Sequence, residues 1–156
     1  MAAPALTEAL AGAGIAFELI SHRPTERAAE EAEALGLAPQ GVAKTLVVTS
    51  PEGYVRAVLP ASERLDLPKV RALLGGSSKA VRLATEDDLA RDYSEFELGA
   101  VPPVGGARSD RVLVDRRLAE GEWLVFEAGS HEESVRVRTA DLLGLTQAQL
   151  ADICEE

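Results

Sequence analysis

Apolar and polar positions along this chain switch period repeatedly, and each switch predicts an element. Leu6 and Leu10 stand four apart ahead of Gly12 and Gly14, which predicts a helix over Pro4–Ala13. A short alternating strand over Ala16–Ile20 runs into the turn His22-Arg23-Pro24. Thr25 is placed to cap a helix over Glu26–Leu35, which Gly36 closes. Ala43–Thr49 and Tyr54–Leu59 are rich in β-branched residues, and Ser50-Pro51-Glu52-Gly53 between them has turn chemistry, so they predict a hairpin. Asp66 caps a short helix over Leu67–Leu74, a brief strand is predicted at Lys79–Leu83, and Thr85 caps a helix over Glu86–Arg91. Arg111–Asp115, Glu122–Ala128 and Ser134–Arg138 read as strands, with Gly129-Ser130-His131 as the turn between the last two. Thr139 caps a final helical pair, Ala140–Leu143 and Gln147–Ile153. About six to seven strands interleaved with short helices, hairpins among them, predict a mixed α/β, α+β-like fold in one domain over residues 1–156.

One charge breaks this pattern. Lys44 lies inside the run Gly41-Val42-Ala43-Lys44-Thr45-Leu46-Val47-Val48, which otherwise reads as a strand buried on both faces. Its amine must reach water at the strand's start, find a carboxylate, or face a pocket that holds something anionic. Thr45, its neighbour, points to the opposite face. A second irregular feature is Leu98-Gly99-Ala100-Val101-Pro102-Pro103-Val104-Gly105-Gly106. Glycines and paired prolines among apolar residues make a stiff loop that need not be solvated.

Composition narrows the function. The net charge is -10, which argues against general adhesion to nucleic acid or an anionic membrane. The stretch from Arg56 to Arg82 departs from this, setting Arg56, Arg64, Lys69, Arg71, Lys79 and Arg82 against Glu63 and Asp66, so a local basic face is one reading and a scatter of solvated cations the other. Cys154 has no partner for an internal disulfide, and no signal peptide or membrane-spanning run is visible; a reducing, cytoplasmic setting follows. There is no phosphate-binding loop, no dinucleotide fingerprint and no metal-ligand spacing for His22 and His131. A triad drawn from Ser130 or Ser109 with either histidine lacks a nucleophile-elbow sequence.

Three segments occur in a recognisable order: Ala43-Lys44-Thr45-Leu46-Val47-Val48, Leu98-Gly99-Ala100-Val101-Pro102-Pro103-Val104-Gly105, and Phe126-Glu127-Ala128-Gly129-Ser130-His131. On these the chain resembles the YbaK-like superfamily of aminoacyl-tRNA deacylases, which includes the inserted editing domain of bacterial prolyl-tRNA synthetases. The resemblance runs from about His22 to Leu143. It implies a curved, barrel-like mixed sheet with a cleft, and trans-editing hydrolysis of the ester of a mischarged tRNA, carrying cysteine or another small amino acid. No metal or cofactor is implied. The partner is the tRNA 3′ end, with an aminoacyl-tRNA synthetase as a further candidate and no membrane role; the oligomeric state is left open.

By that resemblance Lys44, Gly99 and Ala100 are the catalytic positions, and Thr45, His22, Val101, Pro103, Gly129, Ser130 and His131 contact substrate. The chemistry is compatible, because a tetrahedral oxyanion can be stabilised by loop N–H groups of Gly99, Ala100 and Val101, whereas prolines offer none. Lys44 reads as an electrostatic anchor rather than a base. By pattern alone His131 reads as a solvated turn histidine and Ser130 as bonding its own backbone. Two departures stand out: Ala28 occupies the place of a threonine in many relatives, and Pro102-Pro103 replaces a small polar residue and a single proline. Two competing readings are a catalytically silent module binding a tRNA end or nucleotide, and a hydrolase of other acyl esters.

Overall fold

A computed structural model of the protein describes residues 3–24, 35–36 and 41–156. Within them the chain runs α1 (Pro4–Gly12), β1 (Phe17–Ser21), β2 (Ala43–Ser50), β3 (Gly53–Pro60), α2 (Leu67–Leu74), α3 (Glu86–Asp92), β4 (Arg111–Asp115), a 3₁₀ turn (Arg116–Glu120), β5 (Trp123–Glu127), β6 (Glu133–Arg138), α4 (Thr139–Thr146) and β7 (Gln149–Ala151). No helix among the described residues is long and apolar enough to cross a membrane. The predicted helix over Glu26–Leu35 lies outside the described residues apart from Leu35, and so does Ala28.

The seven strands form two sheets, β1-β6-β5 and β2-β3-β4-β7. The first is antiparallel throughout; in the second β2–β3 is an antiparallel hairpin, while β3–β4 and β4–β7 are parallel. The sheets touch through one parallel bridge, Val42↔Val125. Among the described residues they are two joined sheets with no closed barrel, so the mixed α/β class holds without the barrel-like curvature being shown. The unbroken apolar run of β2 has a simple cause, since both of its faces are covered. Ala43 packs with Leu6, Leu10, Val58 and Phe126 on one side, while Leu46 and Val48 pack with Val70, Val81 and Ile153 on the other.

Local signals that rest on capping held well. The Asp66 side chain accepts from the Lys69 N–H, and Thr85 with Asp88 forms a reciprocal capping box. Three expectations fail. Gln147–Ile153 is not a helix: Gln147 ends α4 in the left-handed region (φ 51°), and Gln149–Ala151 pairs with β4 instead. Lys79–Leu83 is no strand, because the Ala80 and Val81 N–H groups turn back to Ser77 O and only Leu83 bridges to Val48. Thr139 does not cap; it is the first residue of α4, and its hydroxyl is buried without a hydrogen-bond partner.

Four of the six cations in the stretch Arg56–Arg82 are engaged within the protein. Lys69 is paired with Asp152 at 3.0 Å, Arg82 with Asp88 at 3.6 Å, and Arg71 donates to Val81 O. Arg56 lies inside the protein, 1% exposed. Its Nε donates to Asp110 Oδ2 (3.0 Å), Nη1 to Pro102 O (2.9 Å) and Nη2 to Gly105 O (2.7 Å). The Tyr93 ring lies 5.3 Å from its Cζ, and the Tyr93 hydroxyl donates to the same Asp110 oxygen at 2.6 Å. Burial, followed by the neighbouring Asp110, raises the Tyr93 pKa and keeps the phenol a donor. One planar cation thus fastens the glycine-proline loop to β3 from behind. Replacing Arg56 with Met strands two loop carbonyls and leaves the buried Asp110 carboxylate with only the Tyr93 hydroxyl and a longer 3.7 Å pairing to Arg108, which costs about 3 kcal/mol of stability. Arg56→Lys is expected to fail as well, because an ammonium cannot span the same fork. Urea unfolding measures both, and wild-type stability in Arg56→Lys would refute the argument.

Candidate functional site

Strand periodicity decides which residues can meet. The bridge Val42↔Val125 is parallel, and both side chains pack with Ala61 and Leu35 on one face. Two residues further along each strand, Lys44 and Glu127 point to that same face. Across the β5–β6 ladder Glu127 stands opposite Ser134, which therefore shares it. The Ser134 hydroxyl lies 2.8 Å from His22 Nε2, while His22 Nδ1 contacts Arg23 O at 2.7 Å. Ser134 is fully buried, so this contact fixes the exit of β1 against β6.

Lys44 is half-buried, and among the described residues its ammonium has no carboxylate or carbonyl in bonding range. Burial holds its pKa below the usual lysine value; Arg64 adds to this, and Cys154 and Glu63 oppose it. The cation is thus desolvated without being paired. Thr45 points the other way, as its parity with Ala43 and Val47 requires, and its buried hydroxyl makes no hydrogen bond.

His131 ties the Gly-Ser-His turn to the glycine-proline loop. Its Nδ1 lies 2.8 Å from Glu127 Oε2, its Nε2 2.7 Å from Leu98 O, and its backbone N–H donates to Glu97 Oε2 at 3.0 Å. With 15% of its side chain exposed, it is not the solvated turn histidine that pattern alone suggests. The Leu98 carbonyl can only accept, so Nε2 carries a proton; an ionised Glu127 requires a second on Nδ1. Burial is the largest influence and disfavours the charge, but the Leu98 carbonyl and the Glu127 and Glu97 carboxylates together outweigh it, and the pKa is raised. The His131 latch accordingly favours the charged form, in which both ring nitrogens donate.

The turn itself depends on Gly129, whose φ is +85° and where a Cβ would come within 2.6 Å of Ala3 Cβ and 2.7 Å of Phe96 Cδ1. Ser130 accepts from the Glu132 N–H, so its hydroxyl serves the local backbone and touches neither histidine. In the loop, Ala100, Val101, Pro102 and Pro103 are all buried. The Ala100 N–H is already committed to Glu97 O at 2.9 Å and is not a free oxyanion donor. The amides of Gly99 and Val101 make no hydrogen bond among the described residues. Gly99 sits beside the His131 ring, with Cε1 3.6 Å from where its Cβ would be. His22, Gly99 and His131 are thus connected through Ser134 and Glu127, and strand parity turns Lys44 to the same side, where Cys154, Arg64 and Glu63 act on it. Thr45 and Val101 lie toward the interior and Pro103 toward Arg56.

Sequence reasoning missed Glu127, Glu97 and Arg56. Glu127 was readable in principle, because a glutamate four residues before a histidine across a two-strand turn brings the pair together. Glu97 and Arg56 act through backbone atoms that carry no sequence signature.

A family model described as an aminoacyl-tRNA editing domain matches residues 22–145. The multifunctional Ser/Thr-tRNA deacylase ProXp-y of Escherichia coli (strain K12) is 26% identical over 144 residues, 89% of this chain and 84% of the deacylase. A proline–tRNA ligase of Thermosipho melanesiensis is 31% identical over 85 residues, 54% of this chain but 14% of the ligase. A solved structure described as a candidate trans-editing enzyme for prolyl tRNA synthetase superposes with a TM-score of 0.87 at 28% identity, covering 99% of this chain and 97% of that one.

Two measurements probe the geometry. The His131 ring is expected to titrate by NMR with a midpoint above 6.5, the ordinary histidine value. Because the folded pKa is the raised one, the latch is complete below pH 6.5 and is lost as pH climbs through the higher folded value. A midpoint at or below the ordinary value would overturn the charged latch. Thr45→Val removes an unpaired buried hydroxyl and keeps the shape, so stability should hold or rise by about 1 kcal/mol, a melting shift of about 2–4 °C. A clear loss of stability would show that the hydroxyl has a partner.

Proposed function

This chain belongs to the aminoacyl-tRNA editing domain family and is an aminoacyl-tRNA deacylase, and from that premise we propose that it acts in trans on tRNAs bearing a small, wrongly attached amino acid, in a cleft organised by Lys44. The observation that carries this reading is the half-buried, unpartnered ammonium of Lys44 on the face it shares with Glu127. An ammonium already stripped of part of its water interacts strongly with any oxygen that acquires negative charge beside it.

In the reaction a water oxygen bonds to the ester carbonyl carbon and gives up one proton to solvent as the C=O π bond opens, and the carbonyl oxygen takes up the charge. The tetrahedral intermediate then collapses, the bond to the ribose oxygen breaks, and that oxygen leaves as the hydroxyl after receiving a proton. Lys44 stabilises the charged oxygen as a point cation. The free Gly99 N–H is the loop donor available to it, since the Ala100 N–H is spent within the loop. His131 acts one step back by clamping Leu98 O, which fixes the peptide plane that carries the Gly99 N–H. Its two donated bonds occupy both ring nitrogens, so it orients the loop and does not take the proton from water.

The small-amino-acid preference is supported by the serine and threonine named for the Escherichia coli relative. A functional association with a prolyl-tRNA synthetase is supported by the partial likeness to a proline–tRNA ligase and by the solved structure described above. The test is a panel of tRNAs charged with serine, threonine, alanine, cysteine and proline, assayed for ester loss. At least one should be cleaved, and Lys44→Ala should lower kcat/KM by about 10²–10³, the cost of one oxyanion-stabilising group. Absence of cleavage across the panel, or wild-type turnover in Lys44→Ala, would sink the reading.

A further inference from the structure

The sheet face that carries Glu127 and Ser134 continues away from the cleft into a cationic platform. Alternation places Trp123 on that face with Val125 and Glu127, and the antiparallel register sets Arg138 opposite Trp123 and Arg136 opposite Val125. Both guanidinium groups close on the indole, with Arg136 Cζ 4.0 Å and Arg138 Cζ 4.6 Å from the ring centroid. Stacking uses the flat face of each guanidinium and leaves N–H groups on its edge for oxygen acceptors.

Their present acceptors are loosely held. Arg136 meets Glu18 at 3.8 Å and Arg138 meets Glu122 at 2.8 Å, and the two carboxylates are 64% and 69% exposed. Exposed pairs of this kind contribute little to stability and exchange readily for a stronger anion. On a chain whose net charge is -10, two neighbouring, partly exposed arginines ordered on one indole concentrate positive charge at one place.

We propose that Trp123, Arg136 and Arg138 bind the phosphodiester backbone of the single-stranded tRNA 3′ end, just upstream of the nucleotide whose ester is cleaved. The inference rests on the deacylase reading and extends it to a contact outside the cleft. Geometry favours this rim. Trp123 is four residues from Glu127 along β5, about 13 Å at roughly 3.3 Å per residue, within reach of the next nucleotides of an extended strand. Arg136 and Arg138 are two residues apart, about 6.6 Å by the same rise, comparable to the spacing of successive phosphates in such a strand.

The experiment uses the full chain, an uncharged acceptor-stem minihelix ending in CCA, and fluorescence anisotropy across a salt series. Arg136→Gln with Arg138→Gln should weaken binding about tenfold at low salt and flatten the log–log salt slope by about 1.4, at roughly 0.7 per single-strand phosphate. KM for a charged tRNA should rise correspondingly with kcat unchanged, while hydrolysis of an aminoacyl ester of adenosine alone stays at the wild-type rate. Glu18→Gln with Glu122→Gln should tighten minihelix binding, a change in the direction that partial unfolding cannot produce. The proposal is overturned if the arginine double variant keeps both affinity and slope, or if the wild-type protein shows no salt-dependent binding. Undiminished editing of charged tRNA by that variant removes the platform and leaves the deacylase reading intact. The expected binding changes without hydrolysis of any ester support the platform and remove the deacylase reading.

Discussion

The buried guanidinium of Arg56 is the interaction on which the rest of the cleft depends. A loop with glycines and adjacent prolines cannot fasten itself by a regular ladder, because the prolines donate nothing and the glycines add no side-chain contact. Arg56 supplies the missing attachments from the neighbouring strand, reaching two loop carbonyls and Asp110 at once. A buried cation is tolerable only when its donors are satisfied and a counter-charge is at hand, and here both conditions are met by the segment it restrains. The loop and its clamp therefore stabilise each other.

A second attachment works from the opposite side. His131 draws the Leu98 carbonyl toward the β5–β6 turn, and Glu97 closes the circuit by accepting from the His131 amide while its own N–H reaches Gly129 O. Loop and turn are thus one rigid unit, held by Arg56 at the back and by a charged histidine at the front. Lys44 stands apart from both networks. Its strand is covered on both faces, so its position is fixed by packing while its ammonium remains uncommitted.

Much of this was legible from the chain. The β2–β3 hairpin, the capped helices at Asp66 and Thr85, and the strand at Arg111–Asp115 all follow from local turn, cap and β-branching signals, which act over a few residues. The oddity of Lys44 was visible because a charge in an apolar run conflicts with burial. What could not be read depends on distant partners. The final segment reads as helical by its own composition, yet Gln149–Ala151 becomes a strand because β4 offers an open parallel edge. Arg56 reads as one surface cation among several until Asp110, 54 residues away, is brought against it. His131 likewise looks solvated until the Leu98 carbonyl folds over it.

The single bridge between the two sheets has a mechanical consequence. Each sheet is internally stiff through its own ladder, but across the join the described residues show one bridge, beside which Val42, Ala61 and Val125 pack, and otherwise side-chain packing of Ala43, Val58, Leu124 and Phe126 in the main core. Away from that bridge, side-chain volume rather than a hydrogen-bond ladder sets how far apart the two halves stand. A difference of one or two methylene groups there would alter the gauge of the opening while leaving the machinery on either side in place.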